Sequence, residues 1–520
     1  MSRSPGRIGT VLFGMVLLAG LVYAGIHLGT DLSRAHVENG WPFLLLGVAL
    51  LIALSFEFVN GFHDTANAVA TVIYTNSLDP HVAVVWSGMW NLIGVLLSSG
   101  GVAFSVLALL PAELAPQMGR SAGFAMIFAL LIAAILWNLG TWSVGLPLSS
   151  SHTLIGSILG VGLANQLILH GSGISGVNWA QVWSVFRALL VSPVVGFVFA
   201  ALMLLLLKLV AKNKALYEAP KGKTPPPLWI RGLLVLTCTG VSFGHGSNDG
   251  QKGMGLIMLI LIGTVPTAYS LNHAMSATQV ADLAALSEQA SHVLGRDVSG
   301  NAVIVDARAD LAQYLRTKKY APTTAASAGL LASDIAQEVG KYKSLANVPA
   351  DKLTGVRNDI SMESEVLRRI AKEKSSAFTA SDAAILKSYN TQLDASIKFI
   401  PTWVKVVVAL ALGLGTMVGW KRIVVTVGER IGNRHLTYAQ GASAEIVTAA
   451  TILAATFYNA PVSTTHVLSS GVAGTMTANG SGLQWPTIRN IALAWVFTLP
   501  CAALLSGCIF WVFRQVIHWF

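Results

Sequence analysis

The sequence predicts an all-α polytopic membrane protein built on an internal inverted repeat, with broken or re-entrant helices and one soluble helical insertion. Three observations lead there. First, the 520 residues are 53% hydrophobic and 11% charged, and the mean hydropathy is +0.62, far above that of a soluble globular domain. Second, a polar segment occurs twice inside apolar runs, as Gly61-Phe62-His63-Asp64-Thr65-Ala66-Asn67-Ala68 and as Gly246-Ser247-Asn248-Asp249-Gly250-Gln251-Lys252-Gly253. Third, each copy is followed by a proline-led hydroxyl run, Pro147-Leu148-Ser149-Ser150-Ser151-His152 and Pro461-Val462-Ser463-Thr464-Thr465-His466.

The spacing identifies a repeat. Asp64 precedes His152 by 88 positions and Asp249 precedes His466 by 217, and the difference of 129 is the length of a charged stretch at 270–398. Removing that stretch brings the halves into register. The formal charge of +10 does not indicate a nucleic-acid partner. The insertion holds 15 of the 34 Lys/Arg and 14 of the 24 Asp/Glu, and most other basic residues fall in short loops, which is the positive-inside bias of membrane proteins. Cys238, Cys501 and Cys508 all lie in apolar runs, so no disulfide framework or zinc spacing is present.

In chain order, residues 1–40 form an extra transmembrane helix and loop, whose apolar run is long enough to be a retained span and not a signal peptide. Residues 41–208 are the first membrane repeat and 209–228 a basic cytoplasmic linker. The second repeat starts at 229–269, is interrupted by the soluble helical insertion 270–398, and resumes at 399–520. Apolar runs place spans near 10–28, 42–77, 82–110, 123–146, 149–168, 182–208, 229–268, 401–419, 441–459, 463–479 and 486–513. Interruptions are expected at 61 and at 244–250, and the pairs meeting at the two proline motifs are candidates for re-entrant helices.

Lys208, Lys212, Lys214, Lys221, Lys223 and Arg231 mark one cytoplasmic loop, and Lys421, Arg422, Arg430 and Arg434 mark another. Arg3 and Arg7 then lie inside and the insertion outside, in the periplasm. The first aspartate motif enters from outside and the second from inside. One extra helix, five spans, and five more in opposite orientation is the arrangement of inverted-repeat secondary transporters. Within the insertion, 281–294 and 362–374 favour helix, and Thr379-Ala380-Ser381-Asp382 is a helix start signal. It carries no catalytic motif and reads as a structural or assembly element.

A helix broken at mid-membrane frees backbone N–H and C=O groups for polar ligands. The glycines at 61, 244, 246, 250, 253 and 255 permit that geometry and close approach. Ser149, Ser150, Ser151, Ser463, Thr464 and Thr465 stand where N-caps belong, and a helix N-terminus suits a phosphate-like anion. Asp64 and Asp249 are costly in hydrocarbon unless used, and would draw cations. Two carboxylates repel a dianion, so binding needs coupled cations, protons or a fixed positive group. Lys252 supplies the last, one helical turn after Asp249, where the first copy has Asn67. A lysine there takes the place of a metal cation, which favours proton coupling over sodium.

Glu57, His63, His152, Glu445 and His466 are candidate proton-coupling groups, though membrane helices also use such residues, as they do His245, simply to bond to neighbours. The sequence requires no organic cofactor and fixes no metal ligand. From a different class, a membrane-embedded metal-dependent hydrolase could use intramembrane Asp and His around a metal. It would have no use for an inverted duplication.

The paired Gly-x-[His/Asn]-Asp segments, Asn67 and Lys252, and the two Pro-x-Ser-[Ser/Thr]-[Ser/Thr]-His segments resemble the inorganic phosphate transporter family, in particular its bacterial low-affinity, proton-coupled members. The resemblance covers roughly residues 42–268 and 400–515. It implies secondary active phosphate uptake by a symporter in the bacterial inner membrane, with phosphate as a neutral complex with a divalent metal and arsenate as an isosteric passenger. The family's substrate and cation residues map onto Asp64, Asn67, Asp249 and the hydroxyl runs. His63 and Lys252 stand where many members carry asparagine, so a sodium site does not transfer directly. The family also contains sulfate carriers, which makes a sulfate symporter the alternative. Expected partners are inorganic phosphate and the lipid bilayer, with a homodimer as the candidate assembly and no nucleic acid.

Overall fold

The computed structural model describes residues 7–34, 40–64, 66–109, 121–168, 177–220, 222, 224–296, 304–321, 323–373 and 378–519. Arg3, Thr65, Lys221, Lys223 and Lys374 lie outside them. Among the described residues the chain is helical throughout. The first half runs α1 (Arg7–Arg34), α2 (Gly40–Asp64), α3 (Ala66–Tyr74), α4 (Pro80–Leu96), α5 (Gly101–Leu107), α6 (Ser121–Ser143), α7 (Ser150–Ile168) and α8 (Trp179–Val210). Then follow α9 (Leu228–Thr264), α10 (Pro266–Tyr269), α11 (Ala277–Gly295), α12 (Ala307–Thr317), α13 (Thr324–Val339), α14 (Ala350–Glu373) and α15 (Ala380–Ile397). The chain closes with α16 (Thr402–Thr416), α17 (Lys421–Glu429), α18 (Tyr438–Phe457), α19 (Thr464–Ala478) and α20 (Trp485–Trp519). Two compact units form: Met1–Gly29 with Asn39–Gly263 and Ile400–Phe520, and Thr30–Glu38 with Thr264–Phe399.

Among the described residues, five helices are long and apolar enough to cross a bilayer, or up to seven candidate spans if each of two bent helix pairs counts as one. That is fewer than the eleven apolar runs. The difference lies in helices such as α7, α18 and α19, where Ser, Thr, Gly and Ala replace bulky apolar residues because most of the helix is buried in protein. The 15 residues of α19 rise about 22 Å, short of the ~30 Å hydrocarbon core. By contrast α8 and α20 turn Val194, Leu202, Val496 and Leu504 outward, as lipid-facing helices do.

The two halves grip each other reciprocally. A Cβ on Gly156 of α7 would meet Ala502 of α20 at 3.1 Å, and one on Gly196 of α8 would meet Ser470 of α19 at 2.4 Å. Ser470 follows His466 as Gly156 follows His152, so these are the same contact made twice. The aspartate helices repeat the pattern: Gly61 lies against the Leu412 carbonyl of α16 and Gly415 against Phe58, while Gly246 lies against the Asn91 carbonyl of α4 and Gly94 against Phe243. Helices meeting through glycine bring backbones close enough for dispersion contacts to hold them where no hydrophobic effect operates.

The turns before α7 and α19 also match. Gly145 (φ 72°) and Asn459 (φ 55°) are left-handed, a conformation that glycine and asparagine adopt most readily. Leu146 N–H donates to Thr141 O and Gly145 N–H to Trp142 O, and Ala460 N–H donates to Ala455 O and Asn459 N–H to Thr456 O. Each is a Schellman stop to the preceding helix. Pro147 and Pro461 follow, and then Ser149 and Ser463, whose hydroxyls accept from His152 N–H at 3.2 Å and His466 N–H at 3.1 Å as N-caps.

The expected interruption of the second aspartate segment does not occur. The α9 helix runs unbroken over 37 residues, through 244–250, and α2 likewise continues through Gly61 to Asp64. The polar side chains of α9 find partners without opening the backbone: Gln251 donates to Ser247 O at 2.7 Å and accepts from Val102 N–H at 2.8 Å. The glycines therefore serve approach, not breakage. A Cβ on Gly250 would lie 2.5 Å from Val95, and one on Gly255 2.7 Å from the Ala103 carbonyl.

The second unit is a helical bundle around Leu283, Leu294, Leu311, Leu331, Val366, Tyr389 and Leu393. Thr379 caps α15 by accepting from Asp382 N–H, and Ser276 with Gln279 forms a capping box on α11. Glu363 is completely buried, with both carboxyl oxygens lacking a partner. Burial, and secondarily Asp359, pushes its carboxyl well above the ordinary value of 4.5. Folding therefore takes up a proton there, so its stabilising effect is full below about pH 4.5 and fades as pH rises toward the folded value. In the intact chain, amide exchange in α14 is expected to lose protection with rising pH beyond the intrinsic exchange rate, and Glu363→Gln to flatten that loss. Identical profiles for the two proteins would remove Glu363 as the cause.

Candidate functional site

Asp64 ends α2 and Asp249 lies midway along α9, and the reciprocal packing brings them to one place. An oxygen of each and a nitrogen of His245 all lie within 4.8 Å of one another, buried. His245 is one turn before Asp249, on the same face of α9. Its Nδ1 lies 2.6 Å from Asn91 Oδ1; donation there leaves Nε2 facing Asp249 Oδ2 at 3.6 Å and Asp64 Oδ2 at 3.8 Å. The two carboxylate oxygens and the ring nitrogen converge on one gap that suits positive charge, whether a cation or a proton on the imidazole, and the Asn91 contact is the outer partner that fixes an imidazole for such work.

Hydroxyls from the short helices close the site. Thr465 donates to Asp64 Oδ1 at 2.8 Å, with His63 Nδ1 at 3.3 Å from the same oxygen. The Asn67 amide donates to Thr465 at 2.8 Å and to Thr464 at 3.4 Å. On the other side Lys252 donates to Asp249 Oδ1 at 2.6 Å, to Val462 O at 3.2 Å and to the Ser151 hydroxyl. Asn248 ties the turn before α19 to α9, donating to Ala460 O at 3.2 Å and accepting from Val462 N–H at 3.3 Å. Asn67 Oδ1, Ser150 Oγ, Asp249 Oδ2 and His245 Nε2 are buried without a hydrogen-bond partner. Native interiors seldom leave such groups unpaired, so ordered water or a ligand is expected to satisfy them.

The remaining sequence candidates lie around this cluster. His152 and His466 face each other with ring centroids 4.4 Å apart, and His466 stacks on Trp495 at 4.0 Å. Glu445 accepts from Thr71 of α3 and Thr237 of α9. Glu57 is buried beside Gly253. His245, Asn91, Thr71 and Thr237 are not among the site residues that the sequence predicts. The i,i+4 spacing of His245 and Asp249 was the available signal for the first. The others make contacts between segments far apart in sequence, which no spacing reveals.

Fold and site together define a multi-pass membrane protein that holds opposed charges at its buried centre. The phosphate transporter family model matches residues 60–506. The chain is 41% identical over 493 residues to the low-affinity inorganic phosphate transporter PitA of Escherichia coli K12, covering 91% of this chain and 97% of that one. It is 40% identical to PitB of the same strain, with the same coverage, and 26% identical to a probable low-affinity inorganic phosphate transporter of Bacillus subtilis, over 91% and 98%. A solved structure titled the sodium-dependent phosphate transporter shares the fold, with TM-score 0.50, 19% identity, and coverage of 91% of this chain and 100% of that one. The chain belongs to the phosphate transporter family, as the motifs suggested. Its relatives are named for transport, which sets the hydrolase reading aside.

Proposed function

We propose that this chain is a symporter that imports inorganic phosphate across the bacterial inner membrane, coupled to protons, with phosphate carried as a neutral complex with a divalent cation. The carrying observation is the gap between Asp64, His245 and Asp249, roofed by hydroxyls from the starts of α7 and α19. In this reading the cation of the cargo sits among those three side chains. The phosphate oxygens take the hydroxyls of Ser150, Ser151, Thr464 and Thr465, the amide of Asn67, and Lys252, while Ser149 and Ser463 shape the helix starts. Glu57, His63, His152, Glu445 and His466 are the groups through which protons would couple. The names of PitA and PitB support phosphate as the anion.

The same proposal takes 41–208 as one repeat and 229–269 with 399–520 as its inverted copy, with 270–398 on the periplasmic side. The reciprocal glycine contacts and matched turns support it. A homodimer is the assembly proposed with it.

In proteoliposomes without sodium, an inward proton gradient is expected to drive accumulation of labelled phosphate in the presence of a divalent cation, and chelation to stop it. A requirement for sodium would refute the role given to Lys252. Arsenate is expected to compete with phosphate and sulfate to leave uptake unchanged; equal competition by sulfate would favour the sulfate carrier.

A further inference from the structure

Glu57 is a fully buried carboxyl that the cargo site does not use. It lies on α2, two turns before Asp64, with neither oxygen hydrogen-bonded. It is pressed onto α9 at a point where only glycine fits: a Cβ on Gly253 would come within 2.3 Å of the Glu57 carboxyl carbon and 2.4 Å of its Oε1. A carboxylate sealed in this way is among the costliest groups to bury, so the geometry fits the acid form. The groups that act on it are few. From α9 they are Asp249 and Lys252, and from α2 itself Asp64, with the Asn60 amide one turn along. The α6 helix, which also packs on α2, has no charged side chain. The charged residue of α16 is Lys405, whose ammonium is occupied by Ser98 O at 2.8 Å. The α7 helix, which also packs on α2, carries His152.

Resting on the reading above, we propose that Glu57 is the group that carries the coupled proton, separately from the cargo. In that reading Asp249 meets the cation and Lys252 the phosphate, and the charges of both act on Glu57. Cargo that draws Asp249 away from Lys252 changes the charge facing Glu57, which ties its protonation to loading. The proton enters from water on the outward-open side onto a carboxyl oxygen and leaves to water on the inward-open side. The Gly253 contact keeps the acid sealed between these events. Cargo that is itself neutral then moves with one positive charge per cycle.

The test separates exchange from accumulation. Wild type, Glu57→Gln and Glu57→Asp, each reconstituted as the full chain, are assayed for phosphate exchange at equal pH on both sides and for net uptake under a gradient of about one pH unit, which supports up to about tenfold accumulation per coupled proton. Glu57→Gln is expected to exchange phosphate within about threefold of wild type yet to accumulate none, and Glu57→Asp to regain accumulation. Accumulation by Glu57→Gln at the wild-type level overturns the proposal, and so does loss of both activities in a variant with wild-type helicity and melting. Failure of wild type itself to exchange phosphate would instead overturn the substrate reading.

Discussion

Asp64→Asn and Asp249→Asn are each expected to abolish phosphate uptake while leaving the fold intact. Asparagine keeps the size and one acceptor oxygen, so Thr465 and Lys252 retain a partner at either position. What disappears is half of the negative charge around the gap facing His245. Losing one side of a buried charged contact costs about 2–5 kcal/mol, which at the midpoint is a fall of about two to three orders of magnitude in transport. Uptake by purified variants, beside their melting temperatures, measures both effects. Wild-type rates in either variant would remove that residue from the site.

Lys252→Met is expected to damage both function and fold. The ammonium is buried and binds Asp249, Ser151 and the Val462 carbonyl, so its removal strands Asp249 as an unpaired buried charge, at a cost of about 3–5 kcal/mol. The double change Asp249→Asn with Lys252→Met removes both charges and should recover most of that stability, because a buried pair is often replaceable by neutral groups with little net loss. Transport should stay absent in the double variant. If transport returned with stability, the pair would be a structural clasp and nothing more.

Much of this architecture was legible in the sequence because it is written twice. The repeated aspartate and proline segments locate the halves, and their polar residues in apolar surroundings announce that something other than lipid lies beside them. The fold class and the family followed from those segments. The continuity of α9 did not, because glycine in a membrane helix permits either a break or a close neighbour, and only the positions of Asn91, Val95 and Ala103 show that here it is the neighbour. Nor was the burial of each helix legible. Hydropathy cannot distinguish a helix wrapped in lipid from one wrapped in protein, and α19 is nearly all buried. Glu445 illustrates the same limit: its threonine partners lie 374 and 208 positions away.

The crossed grip of α7 on α20 and of α8 on α19 has a consequence for biogenesis. When α7 leaves the ribosome, the helix it must seat against is still more than three hundred codons from being read, a wait of roughly 15–60 s at ordinary elongation rates. Its glycine-notched flank at Gly156 and Gly160 spends that interval beside lipid or insertion machinery. Until α20 is made, the amino-terminal half lacks the neighbour that covers this flank.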